Sequence, residues 1–340
     1  MTGGALHLLY AQLVASGLPP VGAYSAAEIP GLGGHMAALS SEGRPCLLVR
    51  TGGGARPQPM VLSGLSAKFA TPCTVTMGGK SAEPLRVTVL ECTAPEEARP
   101  HFAEFGGTIL RLLGPSPTPQ AAADAVARFA AIFAALARPS RQSVTGLIGE
   151  LMVLLLSRDP AGAVACWRTA SGDRFDFASP DAVAECKATS ARLRLHSFSW
   201  EQCNPPLGVP ALMASMFVEV SGGGTSVREL LDRIETRLAG SPDSAVRLRE
   251  TVASTMGAAL PSAMAARFDE EVCRQSVLWF DLQAIPAIRG DLPVGVGGVR
   301  FTSDLALVPP VRPSVLLPPT SRLSAILPEA IEGGSRKHPG

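Results

Sequence analysis

At 340 residues with 46% hydrophobic content, the chain is long enough for two domains and carries ample apolar material for their cores. Its net charge of +1 argues against a protein that coats nucleic acid non-specifically, although a local basic patch suffices to hold a few phosphates. No apolar run reaches membrane-spanning length, no leader pattern opens the chain, and seven cysteines (Cys46, Cys73, Cys92, Cys166, Cys186, Cys203, Cys273) never form Cys-x-x-Cys, so a cytoplasmic protein with buried thiols and no membrane partner is expected.

Residues 1 to about 43 are rich in Gly, Ala, Ser and Pro, with one helix predicted near 5–16. From Pro45 the pattern changes to short strands at 46–50, 60–62, 73–77 and 85–92, separated by Gly- and Pro-containing turns. A small antiparallel sheet is the natural reading, and it places a strand-rich N-terminal domain over 1–115. Helices are expected at 97–113 and 119–137; the second is Ala-rich and sets Phe129 and Phe133 four apart on one face. The segment 143–156 is a strongly apolar helix with a single charge, Glu150, which cannot easily avoid the interior. Gly146 and Gly149, three apart, would let that helix approach a neighbouring backbone closely.

Beyond residue 200 the segment 210–220 reads as a central strand and 221–225 as a turn. Ser226 and Glu229 then make a capping box that opens a helix to Leu238, closed by Gly240. A strand at 277–283 completes a mixed α/β sheet flanked by helices, so 116–308 forms the expected second domain. The tail from 309 to 340 holds several prolines and is expected to wrap the surface or lie poorly ordered. Glycine clusters at 31–34, 52–54, 222–224 and 295–298 match neither GxGxxG nor a phosphate loop in strand–helix context.

Residues 173–187 carry the chemistry. Asp176 ends one apolar run, Ser179-Pro180-Asp181 makes a turn, and a second run delivers Glu185 and Lys187. Period-2 alternation puts Glu185 and Lys187 on one strand face, with Cys186 on the other. The chain has only four lysines, and this one lies in an otherwise small and apolar strand, where unpaired charge is costly. Two carboxylates and an ammonium converging on a sheet face suit a hard divalent cation and a water to be activated. The arrangement resembles the PD-(D/E)XK nuclease core. Together with Gly146–Leu151, Trp167, Ala188-Thr189 and the run His196–Gln202, it is similar to prokaryotic PD-(D/E)XK motif proteins often encoded near restriction and phage-defence genes.

That resemblance implies a restriction-endonuclease-like α/β fold and a metal-dependent DNA endonuclease of a restriction or anti-phage system. Asp176 and Glu185 would bind Mg²⁺ or Mn²⁺, with Glu150 on the preceding helix completing the site, and Lys187 would act on the attacking water or the developing charge. Phe175 stands where the family pattern has proline, which keeps Asp173 as a rival ligand to Asp176. Glu150 has a structural alternative, a buried glutamate satisfied by Arg141 or Arg158. Arg192, Arg194 and His196 alternate with leucines and could project together toward DNA, while Gln202 could contact a phosphate or the lysine. The alternative function is a catalytically weak or inactive subunit that binds DNA or a partner protein. Expected partners are DNA, a defence ATPase, helicase or methyltransferase, and a second copy of the chain.

Overall fold

The computed structural model describes residues 3–328 apart from 63, 79, 82–83, 97–98, 137, 141 and 169–172. The architecture is mixed α/β. Contacts divide the chain into Met1–Pro139 with Ala245–Ala258, and Ser140–Ser244 with Ala259–Gly340. The boundary therefore falls after Pro139, not near 115, and the helix around residue 250 returns to the first unit. No helix among the described residues is long and apolar enough to cross a membrane.

The first unit holds α1 (Gly3–Ala15) and β1 (Ala23–Glu28), β2 (Met36–Ser40), β3 (Pro45–Val49), β4 (Met60–Leu62), β5 (Leu65–Met77), β6 (Lys80–Ser81) and β7 (Leu85–Cys92). Helices α2 (Arg99–Leu113) and α3 (Pro119–Leu136) follow. The strands run antiparallel in the order β1-β2-β3-β7-β5-β4, and a parallel pairing of Ala23–Ser25 with Thr74–Thr76 joins β1 back to β5. The expected antiparallel sheet is thus also joined β1 to β5 into a small ring, which pairs edges that would otherwise be free. Alternate residues Ala26, Met36, Ala38, Cys46, Leu48, Cys73, Val75, Val87 and Val89 pack together as one core. A bulge between Lys68 and Thr71, with Ala70 at φ 43°, bends the long β5. On α3, Phe129 and Phe133 meet edge to face at 5.3 Å, and Phe129 stacks on Phe102 of α2 at 5.5 Å.

In the second unit, α4 (Val144–Leu156) and α5 (Pro160–Cys166) lead into β8 (Phe177–Ser179) and β9 (Ala182–Thr189). Then come β10 (Leu195–Ser199), α6 (Trp200–Cys203), β11 (Ala211–Phe217), β12 (Val220–Ser221), β13 (Thr225–Ser226) and α7 (Val227–Arg237). Ser226 and Glu229 form the predicted capping box of α7, but the helix ends at a Leu238 cap, two residues before Gly240. After α8 (Pro242–Met256) the unit resumes with α9 (Leu260–Ala265), β14 (Arg267–Phe268), α10 (Glu270–Ser276), β15 (Leu278–Asp281), β16 (Arg300–Asp304) and α11 (Pro313–Leu316).

The central sheet has the order β15-β11-β9-β8: a β8–β9 hairpin, a parallel β9–β11 pair and an antiparallel β11–β15 edge. The crossover from β9 to β11 carries β10 and α6, which brings Phe198 and Cys203 onto the sheet face holding Val183 and Met213. Helix α4 lies against β9 from the other side. A β-carbon on Gly149 would sit 2.8 Å from Ala188 Cβ and 3.2 Å from Cys186 Sγ, so the absence of a side chain sets this close approach. Gly149→Val is expected to destabilise the protein by about 1–3 kcal/mol through overpacking. An unchanged urea unfolding midpoint would contradict the contact.

Residues 309–320 of the tail are mostly exposed, but the chain then turns inward. A 3₁₀ turn at Arg322–Ile326 packs on α5, β8 and β9, burying Leu323, Ala325, Ile326 and Leu327. Arg158, between α4 and α5, holds this tail, donating to Ser324 Oγ at 2.5 Å. The burial of these four apolar residues is not legible from a proline-rich composition.

Candidate active site

The hairpin register pairs Phe177 with Ala184, so Asp176 and Glu185 stand next to one another where β8 begins. Asp176 and Glu185 are both buried, whereas Asp173 is exposed. Asp176 is therefore the carboxylate that the hairpin brings to the pocket. Its Oδ2 accepts the Cys186 backbone N–H at 2.9 Å, which ties the aspartate to β9 itself.

Glu185 and Lys187 share a face, as the alternation requires, and form an ion pair at 2.7 Å. Gln202 joins them. Its Nε2 donates to Glu185 Oε1 at 2.6 Å and its Oε1 accepts from Lys187 Nζ at 3.3 Å. Gln202 is held for this task by the capping box of α6, in which the Ser199 N–H donates to Gln202 Oε1 and Ser199 Oγ accepts from the Gln202 N–H. The Lys187 ammonium also lies 5.1 Å from the centroid of the Phe198 ring. Glu185 Oε2 is buried and makes no hydrogen bond. A buried carboxylate oxygen without a donor is costly, and a bound cation would relieve that cost.

Glu150 is fully buried on α4, and both its oxygens are engaged. Arg168 donates from Nε to Oε2 at 2.8 Å and from a terminal nitrogen to Oε1 at 2.5 Å. Trp167 Nε1 donates to Oε2 and Gln142 Nε2 to Oε1, each at 2.6 Å. The same Arg168 nitrogen reaches Asp176 Oδ1 at 2.9 Å. The expectation that Glu150 completes a metal site is thus met by a different arrangement: the carboxylate is saturated by protein donors. The arginine seen to hold it is Arg168 and not Arg158, which faces the tail; Arg141 lies outside the described residues.

Arg168 was not singled out from the sequence, and nothing in its local pattern marks it. Residues 167 and 168 run antiparallel beside 176 and 177, with a Trp167–Phe177 bridge and the Arg168 N–H donating to the Asp176 carbonyl at 2.9 Å. That backbone pairing delivers the guanidinium between the two carboxylates. Arg168 adopts φ 41°, a left-handed conformation that costs a non-glycine residue about 1 kcal/mol or more.

Burial pushes the Asp176 carboxyl well above its ordinary range, and the charges of Glu150 and Glu185 push it further against the opposing pull of Arg168. Burial also raises Glu185, with Lys187 opposing. Crowded carboxylates with raised proton affinity suit a site that trades protons for a metal cation.

The predicted DNA-facing trio divides. Arg192 is exposed but paired with Glu219. Arg194 turns inward to the Ser215 carbonyl at 2.8 Å and hydroxyl at 2.6 Å. His196 is buried, with Nε2 2.8 Å from Ser215 Oγ. Arg194 and His196 turn inward and only Arg192 stays exposed, because His196 shares a face with Phe198, which sits in the core. Burial, then the nearby charges of Lys187 and Arg194, lower the His196 pKa from 6.5 to about 4. A depressed histidine contributes stability that is present above pH 6.5 and is lost as pH falls toward 4, since the unfolded chain takes the proton first. His196→Gln should flatten this part of the stability–pH curve in thermal unfolding; an unchanged slope would contradict it. Arg174 and Arg300 are also exposed, and their charges act on Glu201 of α6.

Mg²⁺ takes one or two protein carboxylates and completes its shell with water and substrate oxygens. Asp176 and the unpaired Oε2 of Glu185 fit such a site, and Glu150 as held here does not. Among the described residues no three His, Cys, Asp or Glu side chains form a group able to hold a metal ion.

A family model described as "Putative PD-(D/E)XK family member, (DUF4420)" matches residues 32–306. The chain belongs to this family. Comparison with curated proteins and with solved structures returns no match.

Proposed function

We propose that this PD-(D/E)XK family member is a metal-dependent DNA endonuclease that hydrolyses phosphodiester bonds, acting in restriction or anti-phage defence. The observation that carries the reading is the buried, unpartnered Glu185 Oε2, beside Lys187 and next in register to Asp176. Asp176 and Glu185 would hold Mg²⁺ or Mn²⁺. Such an ion, when bound, lowers the pKa of a coordinated water and draws charge from a phosphoryl oxygen.

The chain's own residues do the rest. Lys187 presents an ammonium to the charge that builds on the phosphate, from a position fixed by Glu185, Gln202 and the Phe198 ring. Gln202 holds Glu185 Oε1, which leaves Oε2 as the oxygen that would take a cation. Arg168 fixes Asp176 Oδ1. Arg174 and Arg300, exposed and acting on Glu201 of the helix that carries Gln202, would meet DNA phosphates in place of Arg194 and His196.

A second reading, a non-cleaving subunit that binds DNA or a partner protein, is favoured by the ion pairs that already engage Asp176 and Glu185. One assay separates the two. Purified protein with Mg²⁺ or Mn²⁺, alone and with any ATPase, helicase or methyltransferase encoded beside it, should nick or cut plasmid, linear duplex or single-stranded DNA. EDTA and Glu185→Ala should each abolish the cut. Binding without cleavage under every condition would favour the subunit reading.

A further inference from the structure

We infer that Arg168 limits the site to a single divalent ion, its guanidinium standing where a second ion would have to be held between Glu150 and Asp176. This rests on the metal-binding reading above and adds a stoichiometry and a positioning residue to it.

Three observations converge. The guanidinium touches both Glu150 oxygens, Asp176 Oδ1 and Gln142 Oε1, at 2.5, 2.8, 2.9 and 2.8 Å. It therefore sits among the oxygens that a second cation would recruit. Glu150 takes further donors from Trp167 and Gln142, so no lone pair directed at the pocket is left over. By contrast, the one buried carboxylate oxygen without a partner among the described residues is Glu185 Oε2. Capacity for an ion thus lies on the Glu185 side of Asp176 and is filled by a fixed positive charge on the Glu150 side.

The backbone supports a dedicated placement. Arg168 is held at φ 41° while its N–H is bonded to the Asp176 carbonyl, so the local chain bears strain in the conformation that delivers the guanidinium. A fixed guanidinium cannot coordinate water, but it neutralises Asp176 and orients it with no dependence on metal concentration.

The test is ion stoichiometry, read without any substrate. Mn²⁺ titrated into the full chain and followed by electron paramagnetic resonance and calorimetry should give one tight site in the wild type. Arg168→Met should raise this to two, because Glu150 and Asp176 lose their counter-charge. Glu150→Gln combined with Arg168→Met removes both members of the buried pair and should return the count to one; it also guards against a single variant that fails to fold. Two ions in the wild type, or one in wild type and folded Arg168→Met alike, overturn the inference and leave the nuclease reading standing. No ion in any of the three overturns both.

Discussion

Lys187→Ala should reduce metal-dependent DNA cleavage by roughly 10²–10³-fold, the loss typical of removing one preorganised charge from a developing oxyanion. Lys187 pairs with Glu185 at 2.7 Å and donates to Gln202, so its removal changes no carboxylate directly engaged by Arg168. Mn²⁺ affinity should accordingly stay within a few-fold of the wild type, whereas Glu185→Ala, which removes the unpartnered oxygen itself, should lose metal binding. The contrast between the two variants is the informative result. Loss of metal binding in Lys187→Ala would mean that the ammonium shapes the ligand set, and full activity in it would remove the lysine from the chemistry.

The hairpin was legible because its logic is short-range. A turn at 179–181 and a period of two suffice to bring Asp176, Glu185 and Lys187 together, and no distant residue has to be known. The same rule reached only half-way at His196. Alternation says which residues share a face, but which face turns inward depends on Phe198 and on Ser215 in a strand that follows the crossover. Strands β1 and β2 escaped notice since Ala, Ser and Glu dominate them and the β-branched signal is absent. Arg168 was the least readable of all. Its partners lie 8 and 18 residues away, and its position depends on a backbone pairing beside the hairpin, not on any pattern around it.

Removing Glu150 is expected to act on folding before chemistry. Glu150→Ala would leave the Trp167 indole N–H, the Gln142 amide and two donors of a partly buried guanidinium without their acceptor. Breaking a buried ion pair by deleting one partner costs about 3–5 kcal/mol, which for a domain of this size lowers Tm by on the order of 10 °C. Glu150→Gln keeps one acceptor oxygen and should lose less, yet it still strips the charge that Arg168 is placed to meet. Arg168 would then be drawn wholly to Asp176, which its terminal nitrogen already touches at 2.9 Å. Activity measured per folded molecule should therefore fall moderately in Glu150→Gln, through a stronger hold on Asp176, while Tm falls clearly. A variant that keeps the wild-type Tm and loses metal binding outright would show that Glu150 is itself a ligand, with Arg168 displaced when the ion arrives.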